Sequence, residues 1–142
     1  MDHHFFSQAF AKAVEQAIVK AEKQTSCEFK VHIEEHCNET LLDRAAFVFS
    51  DLQLHRTQLR NAVLLYLTTD DRKIAFLADT GANAHLSSDF LSSSIQKLQT
   101  YFAKEQFAEG IDAVLSDFAS KLAVPFPYQE NDINEIPDAL SR

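Results

Sequence analysis

The sequence predicts an α/β protein, a three-layer α/β/α sandwich with a central mixed β-sheet and helices on both faces. The first observation is a hairpin, in which the apolar runs Ala62–Thr68 and Ile74–Ala78 flank the polar residues 69–73. The second is that apolar side chains in these runs do not alternate, so both faces of the hairpin need cover. The third is that amphipathic helical patterns precede and follow the hairpin, and these can supply that cover.

The N-terminal third predicts a helix followed by an edge strand. Residues 6–23 place apolar side chains at helical spacing, which indicates a surface helix with one buried side. Residues 28–36 then alternate strictly, with Phe29, Val31 and Ile33 on one face and polar side chains on the other. This strand is therefore expected to be covered on one face only and to lie at the sheet edge.

A second helix connects this strand to the hairpin. Thr40 followed by Asp43 resembles a capping box, and the apolar stripe of this helix continues to Leu52, before a loop at residues 54–59. The order strand, helix, strand makes the first two strands parallel. The third strand then runs antiparallel, which gives the mixed sheet.

The second half of the chain predicts two helices after a polar connection at residues 79–83. Ser87 or Ser88 is the expected N-cap of the first of them, which runs to Phe102, and the second spans 107–122. Pro125 ends the helical pattern, and residues 126–142 are expected to form an extended acidic tail. We expect one domain, residues 1–142.

Composition narrows the class of protein. The 142 residues are 46% hydrophobic with a net charge of −8, which excludes disorder and a transmembrane segment and disfavours nucleic acid and anionic lipid as partners. Divalent cations and basic protein surfaces remain as partners. The N-terminus lacks the basic flank of a signal peptide, and Cys27 and Cys37 lie too far apart along one strand to form a disulfide, so we expect a cytoplasmic monomer with free thiols.

The first candidate site lies at the hairpin turn. It joins Asp70 and Asp71 to residues at the carboxyl end of the first strand, namely Glu34, His36 and Cys37. His32 and His36 would lie about 13 Å apart along an extended strand, too far to bind one ion together. The preferred interpretation is a solvated turn, and Asp70 and Asp71 are the weaker metal candidates.

The second candidate site lies at the opposite end of the hairpin, about 20 Å away. Asp79, Thr80 and Asn83, with loop carbonyls, offer the oxygen ligands that Ca²⁺ or Mg²⁺ prefers. Arg60 and Asn61 could instead hold an anion such as phosphate. The structural alternative is an ion pair between Arg60 and Asp79, with Gly81 placed at a turn that needs a positive φ.

Short sequence motifs recur in a characteristic order between about residues 27 and 138. They are FKVHIE at 29–34, DRA at 43–45, Thr57 followed by RNAV at 60–63, RKIA at 72–75, DTG at 79–81, FAEGI at 107–111 and NEIPD at 134–138. In this order and spacing they resemble the TPM domain family, named after a thylakoid lumen protein, a photosystem repair protein and a nematode receptor modulator. The resemblance implies an α/β/α sandwich, and members of the family are described as acid phosphatases, as Ca²⁺ binders and as accessory proteins of membrane complexes.

Three functions follow. The leading expectation is a domain that binds Ca²⁺ through Asp79, Thr80 and Asn83. The enzymatic alternative is a phosphomonoesterase at the same place, with Asp79, Arg60 and Asn61 as catalytic candidates, although no nucleophile motif accompanies them. The third is a protein-interaction module that uses the acidic residues 130–138 or the half-covered first strand.

Overall fold

The central strand of the sheet is β2 (Ala62–Thr68), and all seven of its residues are buried. In the computed structural model, which describes residues 7–129 and 137–142, β2 lies between β1 (Glu28–Glu34) and β3 (Ile74–Ala78). β1 pairs with β2 in parallel and β3 pairs with it antiparallel, so that Leu65 faces Val31 on one side and Phe76 on the other. The predicted mixed sheet and α/β class are therefore confirmed.

Helices cover both faces of this sheet. In chain order they are α1 (Gln8–Glu22), α2 (Leu41–Asp51), a short 3₁₀ helix (Leu54–Arg56), α3 (Thr80–Asn83), α4 (Ser88–Ala103) and α5 (Phe107–Leu122). The side chains of Val63, Leu65 and Leu67 pack in a core with α1, α4 and α5. Leu64 and Tyr66, which alternate with them, pack with α2 in the second core.

Local sequence signals explain most of the helix ends. Ser7 and Ser87 cap α1 and α4, because their hydroxyls accept hydrogen bonds of 3.0 Å from the N–H groups of Phe10 and Phe90. Thr40 is the N-cap of α2, but its side chain makes no capping hydrogen bond, so the expected capping box does not form. The predicted start of the first helix at Phe6 lies outside the described residues.

Three expected segments differ in their details. β1 ends at Glu34, two residues before the predicted end, and the loop at 54–59 contains a 3₁₀ turn. The polar connection at 79–83 contains the one-turn helix α3, which begins directly after Asp79 because the Asp79 carboxylate accepts from the N–H of Thr80 at 2.8 Å.

The polar side chains of β1 are largely buried and its open edge is paired, contrary to the expectation from its alternating pattern. Residues 137–142 lie along this strand, and Ser141 exchanges backbone hydrogen bonds of 2.9 Å with Val31 and Ile33. The ammonium group of Lys30 donates to the carbonyls of Pro137 and Ala139 at 3.2 and 2.8 Å. Lys30 is buried because backbone carbonyls satisfy its charge, which the polar pattern alone did not indicate.

Within the described residues, none of the helices combines the length and the apolarity that crossing a lipid bilayer requires.

A close backbone contact, and not a positive φ, requires glycine at position 81, so the expected turn geometry is wrong. Neither glycine of the chain has a positive φ, and the left-handed residue nearby is Arg60, with φ 53°. The N–H of Gly81 donates to the carbonyl of Arg60 at 2.8 Å. A Cβ atom at position 81 would lie 2.3 Å from the carbonyl oxygen of Leu59, which is inside van der Waals contact.

Gly81→Ala is therefore expected to lower the free energy of unfolding by about 2 kcal/mol or more, since the obstacle is backbone that cannot rotate away. Urea denaturation followed by circular dichroism measures this loss. Asn83→Ala is the matched control in metal-free buffer, because Asn83 is exposed on the same helix. Equal stability of the two variants would contradict the close-contact explanation.

Glu22 joins α1 to the C-terminal segment. Its side chain hydrogen-bonds Asp138, and its Oε2 accepts from the N–H of Phe29 at 2.9 Å. Burial, the hydrogen bond to Asp138 and the nearby charges of Asp138 and Glu28 raise the pKa of Glu22 from 4.5 to about 9, against the smaller effect of the Phe29 bond. The folded protein therefore retains a proton that the unfolded chain releases.

This raised pKa makes stability depend on pH. The contribution of protonated Glu22 to the free energy of unfolding is fully present below the unfolded pKa of 4.5 and is lost as the pH rises towards 9. We expect Glu22→Gln, which keeps a neutral side chain at every pH, to gain about 1 kcal/mol or more over the native protein between about pH 5 and pH 9. Thermal unfolding across this range measures the gain, and Glu39→Gln, at an exposed position, is the control. If the stability of the native protein and of Glu22→Gln changes in parallel with pH, Glu22 is not protonated in the folded protein.

Candidate functional site

Two acidic side chains and a histidine meet where β1 and β2 end. Glu35 and His36 follow β1, and Asp70 follows β2 by two residues. The N–H groups of Thr69 and Asp70 donate to the carbonyls of Glu34 and Glu35 at 2.9 Å, which continues the parallel ladder past the strands. Because this ladder fixes the two chain segments side by side, their side chains project from the same edge of the sheet.

We call Glu35, His36 and Asp70 the turn-end cluster. One potential ligand atom from each residue lies within 4.8 Å of the other two, and all three residues are exposed. His36 Nε2 lies 3.4 Å from Asp70 Oδ2. Two carboxylates and an imidazole at this spacing are chemically able to ligate one divalent cation.

Asp71, the neighbouring acid, has a structural role at the same turn. Its carboxylate accepts from the N–H of Cys37 at 3.1 Å and lies 3.6 Å from the ammonium group of Lys73. Hydrogen bonds from the Thr68 hydroxyl and the Cys37 N–H lower the pKa of Asp71. These contacts tie the hairpin turn to the segment after β1 and hold the turn-end cluster together.

Glu34, the last residue of β1, is partly buried at the same end of the sheet. Its carboxylate accepts from the Tyr66 hydroxyl at 2.6 Å and from Arg44 Nε at 3.1 Å, and His32 Nε2 lies 3.0 Å from it. Burial alone would raise the pKa of Glu34, but the hydrogen bonds from Arg44, Tyr66 and His32 lower it to about 2. With its oxygens engaged by these partners, Glu34 supports α2 against the sheet and is not a free ligand.

The opposite end of the hairpin holds an ion pair. Arg60 Nε and Nη2 donate to the two carboxylate oxygens of Asp79 at 2.6 and 2.8 Å. His55 Nδ1 lies 3.6 Å from Asp79 Oδ1, and the Asp79 side chain is only 2% exposed. Burial would raise the pKa of Asp79, but the bonds from Arg60 and the Thr80 N–H outweigh it and lower the pKa. The ion pair between Arg60 and Asp79 that the sequence offers as the structural alternative is therefore present and is bidentate.

The other predicted residues at this end differ in exposure. Thr80 and Asn83 are the first and last residues of α3, and both are exposed. Asn61 is buried, and its side-chain amide faces the Ser26 hydroxyl at 3.5 Å. A cation or a phosphate at Asp79 would have to compete with Arg60 for the carboxylate, or with the carboxylate for Arg60.

The sequence analysis favours the Asp79 end as the metal site, and it does not name Glu35 as a candidate ligand. The available signal was that Glu35–His36 and Asp70 each follow a strand, and that the two strands were predicted to be parallel. The expectation that His32 and His36 do not act together agrees with the geometry, since His32 contacts Ser141 at 2.7 Å and Glu34. Of the predicted residues, His36 and Asp70 come together.

The architecture and the cluster define a small α/β/α domain with an exposed carboxylate and imidazole group at one edge of its sheet. The family model of the TPM domain matches residues 1–121. The chain belongs to the TPM domain family, as its sequence phrases predicted.

Solved structures agree with this assignment. The chain is similar to the BA42 protein of the psychrophilic bacterium Bizionia argentinensis, with 33% identity, a TM-score of 0.87, and coverage of 95% of this chain and 93% of that one. It also shares the fold of the N-terminal domain of a protein from P. gingivalis, with 20% identity, a TM-score of 0.70, and coverage of 88% and 81% of the two chains. No curated protein matches the sequence.

Asp79→Asn tests the role of the ion pair. The change leaves the Arg60 guanidinium without its charged partner and weakens the cap of α3, so we expect a loss of about 1–3 kcal/mol in the free energy of unfolding. Chemical denaturation measures it. The control is Asp117→Asn, which removes the exposed 2.7 Å pair with Lys97 and should cost about 0.5 kcal/mol or less. Equal losses would contradict a structural role for Asp79.

Proposed function

We propose that this TPM domain binds a divalent cation at the turn-end cluster. The observation that carries the proposal is the approach of three ligand atoms, from Glu35, His36 and Asp70, to within 4.8 Å of one another. Two carboxylates supply negative charge, and the exposed position leaves room for water molecules to complete the coordination shell. The net charge of −8 further favours cations at the surface.

The donor set also bears on which cation binds. Ca²⁺ takes six to eight oxygen ligands, whereas an imidazole suits ions such as Mn²⁺ or Zn²⁺. We therefore propose that the turn-end cluster prefers a transition-metal ion to Ca²⁺ or Mg²⁺.

The Ca²⁺ site at Asp79, Thr80 and Asn83 stays a prediction. A cation bound there would have to displace the guanidinium of Arg60, which already contacts both carboxylate oxygens. This competition is the reason that we rank the turn-end cluster first. The phosphatase activity assigned to Asp79, Arg60 and Asn61 and the protein-docking role also stay predictions from the sequence.

Calorimetric titration with Mn²⁺ tests the proposal. Asp70→Asn removes one carboxylate from the turn-end cluster and should weaken Mn²⁺ binding about tenfold or more, since the second ligating charge is lost. The matched control is Asp51→Asn, an exposed acid at the end of α2. Asn83→Ala tests the other end of the hairpin in the same assay and should leave the affinity unchanged.

Two results would refute the turn-end assignment. One is an affinity for Mn²⁺ that is equal in the native protein and in Asp70→Asn. The other is loss of binding in Asn83→Ala alone, which would assign the ion to the Asp79 end. Repeating the titration with Zn²⁺ and Ca²⁺ tests the order of preference, and tighter binding of Ca²⁺ would refute the role given to His36.

A further inference from the structure

A cleft of about 530 Å³ opens between the hairpin turn and the turn that joins α4 to α5. Its size falls within the range of about 300–1,000 Å³ that is typical of small-molecule sites. Thr69 and Arg72 line it from the hairpin, and Gln99 and Glu105 line it from the helical side. The cleft shares no residue with the turn-end cluster, although the Thr69 hydroxyl donates to Asp70 Oδ1 at 3.2 Å.

The floor of the cleft is apolar. Ile74 is buried at the start of β3, and the rings of Phe102 and Phe107 meet edge to face with their centroids 5.2 Å apart. All three line the cleft, and both phenylalanines are only partly buried in the adjoining core. They therefore present ring surface to the cleft that an apolar ligand could cover.

Two opposite charges line the same cleft without neutralising each other. Arg72 and Glu105 are exposed and form no ion pair with each other. Across the described ranges 7–129 and 137–142, neither side chain has a hydrogen bond or an ion pair with any residue. This distinguishes them from Lys73 and Lys97, whose ammonium groups contact Asp71 and Asp117 at 3.6 and 2.7 Å.

We propose that this cleft binds a small zwitterion with an apolar body, of the class of short peptides of apolar residues. The guanidinium of Arg72 offers the paired donors that suit a carboxylate, and the carboxylate of Glu105 accepts from an ammonium group. The apolar body then covers Phe102, Phe107 and Ile74.

The pair of charges selects against simpler ligands. An organic anion would be attracted by Arg72 but repelled by Glu105. An organic cation would be attracted by Glu105 but repelled by Arg72. A ligand that carries both charges satisfies both side chains, and its apolar body gains from burial on the aromatic floor. The zwitterion is therefore the ligand class that matches Arg72, Glu105 and the apolar floor of the cleft together.

The test is an NMR titration of the full chain with the dipeptide L-leucyl-L-phenylalanine in the presence of EDTA, so that its outcome is independent of the cation site. We expect saturable shifts of the amides of residues 72–74 and 103–107, which border the cleft. Arg72→Gln and Glu105→Gln should each raise the dissociation constant about tenfold, the effect of one lost charged hydrogen bond.

Two exposed neighbours that do not line the cleft give matched controls. Lys104→Gln removes a positive charge and Glu109→Gln a negative one, and both should bind as the native chain does. The N-acetylated dipeptide lacks the ammonium group, so it should bind the native chain weakly and should lose nothing further in Glu105→Gln. The proposal is overturned if the dipeptide causes no saturable shift at the cleft, or if the control variants weaken binding as much as Arg72→Gln and Glu105→Gln.

Discussion

Burial of β2 on both faces is the constraint on which the rest of the structure depends. Side chains of Val63, Leu65 and Leu67 point into one core, and those of Leu64 and Tyr66 point into the other. A strand of this kind cannot lie at an edge or face water, so it needs a partner strand on each side and helices above and below. The helices α1, α4 and α5 on one face and α2 on the other meet this need.

The same constraint determines where chemical groups can gather. Because β1 runs parallel to β2, the carboxyl ends of both strands lie at the same end of the sheet. Backbone hydrogen bonds there hold the segments of Glu35, His36 and Asp70 side by side. Because β3 runs antiparallel to β2, Asp79 lies at the opposite end of the sheet, where it contacts Arg60. The two groups have different surroundings: the turn-end cluster is exposed and rich in potential ligands, whereas Asp79 is buried and already paired.

The bounds of β2 and β3 could be predicted because continuous apolar runs bordered by polar turns have one reasonable interpretation. The burial of Lys30 could not be predicted from the local pattern, since it depends on carbonyls more than a hundred positions away along the chain. The sequence indicates a turn role for Gly81 because it does not reveal which backbone passes close by. It does not indicate Glu35 for a similar reason: the approach of Glu35 to Asp70 depends on the register of two strands, and the alternation of polar residues does not contain that register.

Cation binding where β1 and β2 end is tested most directly by the paramagnetic broadening that substoichiometric Mn²⁺ causes in the amide NMR spectrum. Broadening falls steeply with distance, and the two ends of the hairpin are about 20 Å apart. If the turn-end cluster binds the ion, we expect the amides of residues 35–37 and 69–71 to broaden first, while those of Thr80–Asn83 stay sharp. Broadening that begins at Thr80–Asn83 and spares residues 35–37 would contradict it.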